Sequence, residues 1–312
     1  MKNTSAFYYS IIVFTCFLFI GSCTTSPKKD KKLKPKAARA MDYWFTQRAY
    51  PSGTINMATY SEGYSALKKE KNASKVAAST TWEAIGPMNF GGRTLCLAFN
   101  PLNYNTMYAG SASGGLWRSY TGGVGASAWH QVATGFPVLG VAAIAINPND
   151  SNEIYIGTGE VYNYQNTGSG WTDRTTRGTY GIGILKTTDG GVTWTKSLDW
   201  QFDEMKGVQH IEINPLNSNS ILAATSEGLY RSYDAGATWT LIHSILMAAD
   251  IDYIPGDTST YFVTYGNQSS TGHGIYRTLD AGGTFTKLTS GLPSTFGGKA
   301  LIGTSSSSPN IV

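Results

Sequence analysis

Lys186–Trp194 reads KTTDGGVTW, and the chain writes nearly the same words twice more: RSYDAGATW at Arg231–Trp239 and RTLDAGGTF at Arg277–Phe285. The aspartates in them, Asp189, Asp234 and Asp280, are spaced by 45 and 46 residues. Runs of the form strand, Asn-Pro turn, strand recur as well: LAFNPLNYNTMYAG (Leu97–Gly110), IAINPNDSNEIYIG (Ile144–Gly157) and IEINPLNSNSILAA (Ile211–Ala224). A fourth, degenerate unit, RSYTGGVGASAW (Arg118–Trp129), carries Thr121 in place of the aspartate. A period near 46 residues that holds four short strands is the signature of a β-propeller blade. A single such sheet cannot bury both faces, so blades must stack. The β-rich zone from Trp82 to Val312 spans 231 residues, about five units. The expected fold is therefore all-β, a propeller of four-stranded blades with about five blades' worth present, and a ring incomplete at its C-terminal end.

In each repeated stretch the aspartate can accept hydrogen bonds from turn N–H groups. Gly191, Gly236 and Gly282 can take positive φ. Trp194, Trp239 and Phe285 give the following strand an apolar anchor. Repetition places one aspartate at the edge of each blade and not three in one cleft, so they read as turn braces.

The pattern Ser/Thr-x-Asp-x-Gly-x-Thr-Trp resembles the Asp box of sialidases, xyloglucanases and sortilin-type propellers, where it forms the hairpin between the third and fourth strands of a blade. The passages WEAIGPMNFGGR, MYAGSASGGLWRS, IYIGTGE and GIGILKTTDGGVTW, met in order from Trp82, are similar to secreted bacterial propellers described as sortilin-like or BNR-repeat glycosyl hydrolase proteins. The resemblance implies a propeller that acts on or binds glycans or proteins outside the cell.

In a four-stranded meander the Asn-Pro turns and the Asp boxes share one face, so function is sought on the other, where loop lengths vary. That face is expected to hold Gly86–Arg93, Thr134–Gly140, Asp199–His210 and Gly266–Gly274. Its longest loop is GTGEVYNYQNTGSGWTDRTTRGTYG, Gly157–Gly181. Long loops in compact repeats carry function. Tyr162, Tyr164 and Trp171 offer flat apolar faces to sugar rings or peptide side chains, with Arg93, Arg174 and Arg177 as polar partners. This reads first as a glycan- or protein-binding module; the alternative reading is that the aromatics only pack the loop onto the ring.

A glycoside hydrolase is the second reading. It requires two carboxylates, about 5–5.5 Å apart for retention or 6.5–9.5 Å for inversion. Glu160 and Asp173 are the expected pair, with Asp203 and Glu204 on the same face. A sialidase-like version lacks the F-R-I-P motif: this chain has Phe90-Gly91-Gly92-Arg93. His130, His210, His243 and His273 show no metal-ligand spacing and read as surface or packing residues. No phosphate loop or nucleophile elbow is written, so no metal or other cofactor is expected.

The first 23 residues read as an export signal: Lys2, the apolar run Phe7–Ile20, then Gly21-Ser22-Cys23. The ending I-G-S-C resembles the lipobox of bacterial lipoproteins, which implies lipidation of Cys23; an ordinary signal peptide cut nearby is the alternative. Cys16 leaves with the signal, and Cys96 reads as a core residue. The net charge of +4 divides unevenly: residues 1–39 carry +7 and residues 40–312 carry −3. The basic part is a tether, residues 24–39, and the β-rich zone lacks the positive excess that nucleic-acid binding needs. Residues 40–80 read as two short amphipathic helices broken at Pro51-Ser52-Gly53, and 81–312 as the propeller. The expected setting is the outer membrane or cell surface through a lipid anchor, or secretion.

Overall fold

The computed structural model describes residues 36–54, 56–73, 92–137, 140–166, 172–176, 180–203, 205–266, 270–293, 296–308 and 311–312. The signal and Cys23 lie outside the described residues. Two helices stand either side of the Pro51-Ser52-Gly53 break, α1 (Lys36–Ala49) and α2 (Met57–Ala73). The first begins inside the stretch read as tether. α1 belongs to one compact unit, and α2 to the unit that holds every strand.

The strands form four antiparallel four-stranded sheets. Blade 1 is β1 (Thr94–Asn100), β2 (Asn103–Ser111), β3 (Leu116–Ser119) and β4 (Trp129–Val132). Blade 2 runs β5 (Val141–Asn147), β6 (Asp150–Thr158), β9 (Gly183–Thr187) and β10 (Thr195–Asp199), with a separate hairpin, β7 (Val161–Asn166) and β8 (Thr172–Thr176), inserted after its second strand. Blade 3 is β11 (Val208–Ile213), β12 (Ile221–Thr225), β13 (Gly228–Ser232) and β14 (Thr240–His243). Blade 4 is β15 (Ala248–Tyr253), β16 (Tyr261–Tyr265), β17 (Gly274–Thr278) and β18 (Thr286–Leu288). Each sheet is a meander in chain order, and the whole is a β-propeller. Of the five units' worth expected, four are complete blades. Residues 300–304 form no strand but run beside β15, where Asp250 and Asp252 accept the N–H groups of Ile302 and Thr304 at 2.7 Å each.

The cores lie in the seams between consecutive blades, as stacking demands. Tyr108, Leu116 and Val132 of blade 1 meet Ile154, Leu185 and Trp194 of blade 2. Tyr155 and Ile184 of blade 2 meet Ile211 and Ile221 of blade 3. Leu222 and Leu229 of blade 3 meet Ile251 and Tyr261 of blade 4. Full burial of one such aliphatic side chain stabilises by roughly 1.5–3 kcal/mol. Cys96 packs at the first seam, and burial pushes its thiol up to about 12, which leaves it unreactive.

The repeated turns are braced as follows. Asp189 accepts the Thr193 N–H at 2.9 Å and its hydroxyl at 2.5 Å, while the Thr187 hydroxyl donates to it at 2.7 Å and accepts the Gly191 N–H at 3.0 Å. Asp234 and Asp280 repeat the arrangement with Thr238 and Thr284. The Thr238 hydroxyl, then its N–H, holds the Asp234 carboxyl down at about 2, and the Thr284 N–H and hydroxyl do the same for Asp280. In blade 1 the Ser119 hydroxyl still accepts the Gly123 N–H at 3.0 Å, without a carboxylate. Each of these turns also donates to the end of its own blade where strands one and two join: Gly122 to Asn105 and Gly190 to Asn152 near the start of the second strand, Ala235 to Asn219 and Ala281 to Ser259 in the turn before it. Both turn types therefore share a face, which leaves the other face to the remaining loops.

Candidate functional site

On that other face each blade closes with the same bond, from the residue after its second strand to the residue before its first. Ala112 donates to Arg93, Gly159 to Gly140, Ser226 to Gly207 and Gly266 to Met247, at 2.9–3.1 Å. Only blade 1 puts a long charged side chain at that position. Arg93 reaches across to blade 2 and donates to both oxygens of Glu160, Nη1 to Oε1 at 2.6 Å and Nη2 to Oε2 at 2.7 Å. Glu160 is 5% exposed. A bidentate pair of this kind is both strong and orienting.

Glu160 sits at the root of the inserted hairpin, whose two ends are tied together. The Thr158 hydroxyl donates to the Gly183 carbonyl at 2.6 Å and accepts the Ile182 N–H at 2.8 Å. Backbone passes so closely here that Gly159, at φ +84°, has no room for a side chain against Gly181. The hairpin pairs Tyr164 with Arg174 and Gln165 with Asp173. The side chains of Tyr162, Tyr164, Asp173 and Arg174, and residues Trp171, Arg177 and Glu204 entirely, lie outside the described residues. Asp203 faces Lys206 at 2.6 Å.

The inner strands add a polar rim that the sequence reading did not find. All four carry a β-bulge one residue in, at Leu95, Ala142, Gln209 and Ala249. A bulge re-aims its side chain. At blade 3 that side chain is Gln209, which donates to the Val161 carbonyl at the hairpin's root at 3.2 Å and accepts from Lys299. Burial pulls the Lys299 ammonium down, against the charges of Glu160 and Asp250. Next along the rim, His210 faces Asp250 through Nδ1 at 2.9 Å and Glu212 through Nε2 at 3.3 Å. Asp250 is itself 6% exposed and accepts the Ile302 N–H. The rim thus runs from blade 1 to residues 300–304 beside blade 4 through paired polar groups. The signal in the sequence was an acidic or imidazole side chain at matching places in two inner strands, His210 and Asp250, then Glu212 and Asp252. It is legible only once the strands are in register.

His210 is more than a packing residue. Burial alone would depress it, but hydrogen bonds to Asp250 and then Glu212 outweigh burial and lift it to about 9. An unfolded histidine titrates near 6.5. The charged pairing therefore contributes fully below about pH 6.5 and is lost as pH rises through about 9. We expect the thermal midpoint to fall across that window, and the fall to be smaller in His210→Gln. Equal slopes for the two proteins would mean that the imidazolium is not what joins blades 3 and 4.

Among the described residues, then, Glu160 is a carboxylate with both oxygens occupied, and the rim acids each have a donor. This arrangement can fix the root of the inserted hairpin and present a polar, paired surface beside it.

No protein-family model matches the chain. It is 25% identical over 218 residues to a xyloglucanase of Hypocrea jecorina, a match that covers 62% of this chain and 24% of that protein. A xyloglucanase of a Paenibacillus species is 29% identical over 181 residues, covering 53% of this chain and 16% of that protein. Among solved structures, an ancestral GH74 enzyme superposes with a TM-score of 0.51 at 18% identity, covering 69% of this chain and 26% of that one. The fold is a xyloglucanase-like β-propeller. The chain spans about a quarter or less of the length of the curated relatives it matches.

Proposed function

We propose that this chain is the glycan-contacting propeller of an exported glycoside hydrolase that acts on a β-linked polysaccharide of the xyloglucan kind, tethered by a lipid on Cys23. The observation that carries the reading is the hairpin of blade 2, whose root is tied by Thr158, Arg93 and Glu160 on the face opposite the braced turns. Its aromatic residues Tyr162, Tyr164 and Trp171 suit stacking against pyranose rings. The likeness to xyloglucanases supports hydrolysis over binding alone. In this reading Glu160 is a positioning residue and Asp173 a candidate acid. The alternative, a glycan- or protein-binding module without hydrolysis, is favoured by the paired state of Glu160.

The test is reducing-end release from a panel of xyloglucan, mixed-linkage glucan and sialylated mucin by protein made from the complete reading frame. Release from xyloglucan is expected, with Asp173→Asn lowering kcat by about 100-fold or more, a range typical of a lost acid or base. Glu160→Gln should act through thermal stability and KM instead. A folded protein that binds xyloglucan without cleaving it would replace hydrolysis by the binding module. One that neither binds nor cleaves would end both glycan readings.

A further inference from the structure

The helix α2 turns a polar stripe toward the blades. Ser61, Tyr64, Ser65, Lys68 and Lys69 follow the i, i+3, i+4, i+7, i+8 spacing of one helix face, the face that is apolar when a helix packs on a core. Here that face lines a cavity of about 800 Å³. The opposite wall is Thr134 and Phe136, just after β4 of blade 1, with Trp194 and Lys196 at β10 of blade 2. The apolar residue among them in sequence, Leu67, is instead 55% exposed. Neither Arg93 nor Glu160 lines this space, so it is separate from the root of the hairpin.

One of the three lysines is already employed. Lys196 meets Asp199 at 2.8 Å and donates to the Gln201 side-chain oxygen, while the Gln201 amide donates to the Ser61 hydroxyl. This clasp joins α2 to blade 2 and neutralises Lys196. Lys68 and Lys69 are not neutralised: among the described residues no carboxylate pairs with either, and none lines the cavity. The Lys68 ammonium lies over Gly135, where a Cβ would come within 2.7 Å of it. Two ammonium groups on one cavity without a counter-charge repel each other, and an anion between them relieves that repulsion. Residues 40–312 carry −3 overall, so the positive spot is a local feature and not the general charge of the surface.

The rest of the lining selects among anions. Phosphate sites recruit arginine forks or nests of backbone N–H groups, and no arginine lines this cavity. Lysines beside hydroxyls and the rings of Tyr64 and Phe136 match a pyranose that bears a carboxylate, which has an apolar face, a polar edge and one negative charge. The volume falls within the range of small-molecule sites, about 300–1,000 Å³. We propose that the cavity between α2 and blades 1 and 2 is a binding site for an acidic saccharide, with its carboxylates on Lys68 and Lys69 and a ring against Tyr64.

The test is calorimetric titration of protein made from the complete reading frame with tri-galacturonate and tri-glucuronate, with methyl-esterified tri-galacturonate and inorganic phosphate as controls. At least one of the two acids is expected to bind, more tightly at low salt. Its methyl ester and phosphate should each bind about 10-fold more weakly or worse. The double variant Lys68→Gln, Lys69→Gln should lose about 10-fold or more, the equivalent of one charge-assisted hydrogen bond. Both side chains are exposed, so its thermal midpoint should stay near the parent's. Ser65→Trp keeps every charge and fills the cavity, and it should abolish binding as well. Failure of both acids to bind would overturn the proposal, as would unchanged affinity in either variant. Equal binding of the ester would make this a neutral-sugar site, and equal binding of phosphate a plain anion site; each overturns it. None of these readouts depends on hydrolysis at the hairpin.

Discussion

Gly183→Ala is expected to remove most of the stability of blade 2, roughly 3–5 kcal/mol, combining backbone strain with overpacking. Gly183 opens β9 at φ +97°, where β10 is bulged between Lys196 and Leu198. A Cβ there would lie 1.8 Å from the Leu198 carbonyl oxygen, far inside contact distance, with the Trp200 nitrogen 3.1 Å away. Both neighbours are backbone of the pairing strand, so nothing can swing aside. The same carbonyl end of β9 receives the Thr158 hydroxyl that ties the hairpin's root, so the loss should reach the candidate site. Gly190→Ala is the matched control. Gly190 also has positive φ, +68°, yet Ala235 and Ala281 occupy the equivalent turn position at φ 53° and 57°. That substitution should cost under about 1 kcal/mol. Urea unfolding midpoints of the two variants decide the matter. If both alanines cost the same, the close approach of β10 is not the cause.

Arg93→Met should cost roughly 2–3 kcal/mol and Glu160→Gln about 1, although each removes the same pair. The reason is where each charge is left. Glu160 is nearly enclosed, with 7% of its side chain exposed, whereas Arg93 keeps 43%. Removing the arginine strands a carboxylate away from water, which costs about 3–5 kcal/mol for a fully buried pair and less here because one partner is solvated. Removing the glutamate's charge leaves a guanidinium that solvent still reaches. Thermal or urea unfolding of both single variants and the double variant measures the asymmetry. A Glu160→Gln protein less stable than Arg93→Met would show that the carboxylate's contacts to its own blade, not its counterion, hold it.

The repeated stretches also show what a sequence conveys poorly. Asp189, Asp234 and Asp280 drew attention because they are alike and acidic, and in the fold each serves its own hairpin. Arg118, Lys186 and Arg231, three places before Thr121, Asp189 and Asp234, recur with them but donate to carbonyls of the following blade. Their acceptors lie 49 to 72 residues away on another blade, beyond any local pattern.

What the sequence determined by itself follows from local physics. Period and turn chemistry were enough to specify four-stranded blades, the shared face of the Asn-Pro and aspartate turns, and the position of the long insertion. Each of these depends on residues a few places apart. What only the tertiary structure decided is everything that crosses a seam: that Glu160 meets Arg93, that Gln209 is turned by a bulge toward Lys299, and that His210 meets Asp250 of the next blade. Side-chain charge is written in the sequence, but its partner is chosen by the stacking of sheets whose contacts span the chain. The apolar seams set that stacking, and the polar rim inherits its pairings from it.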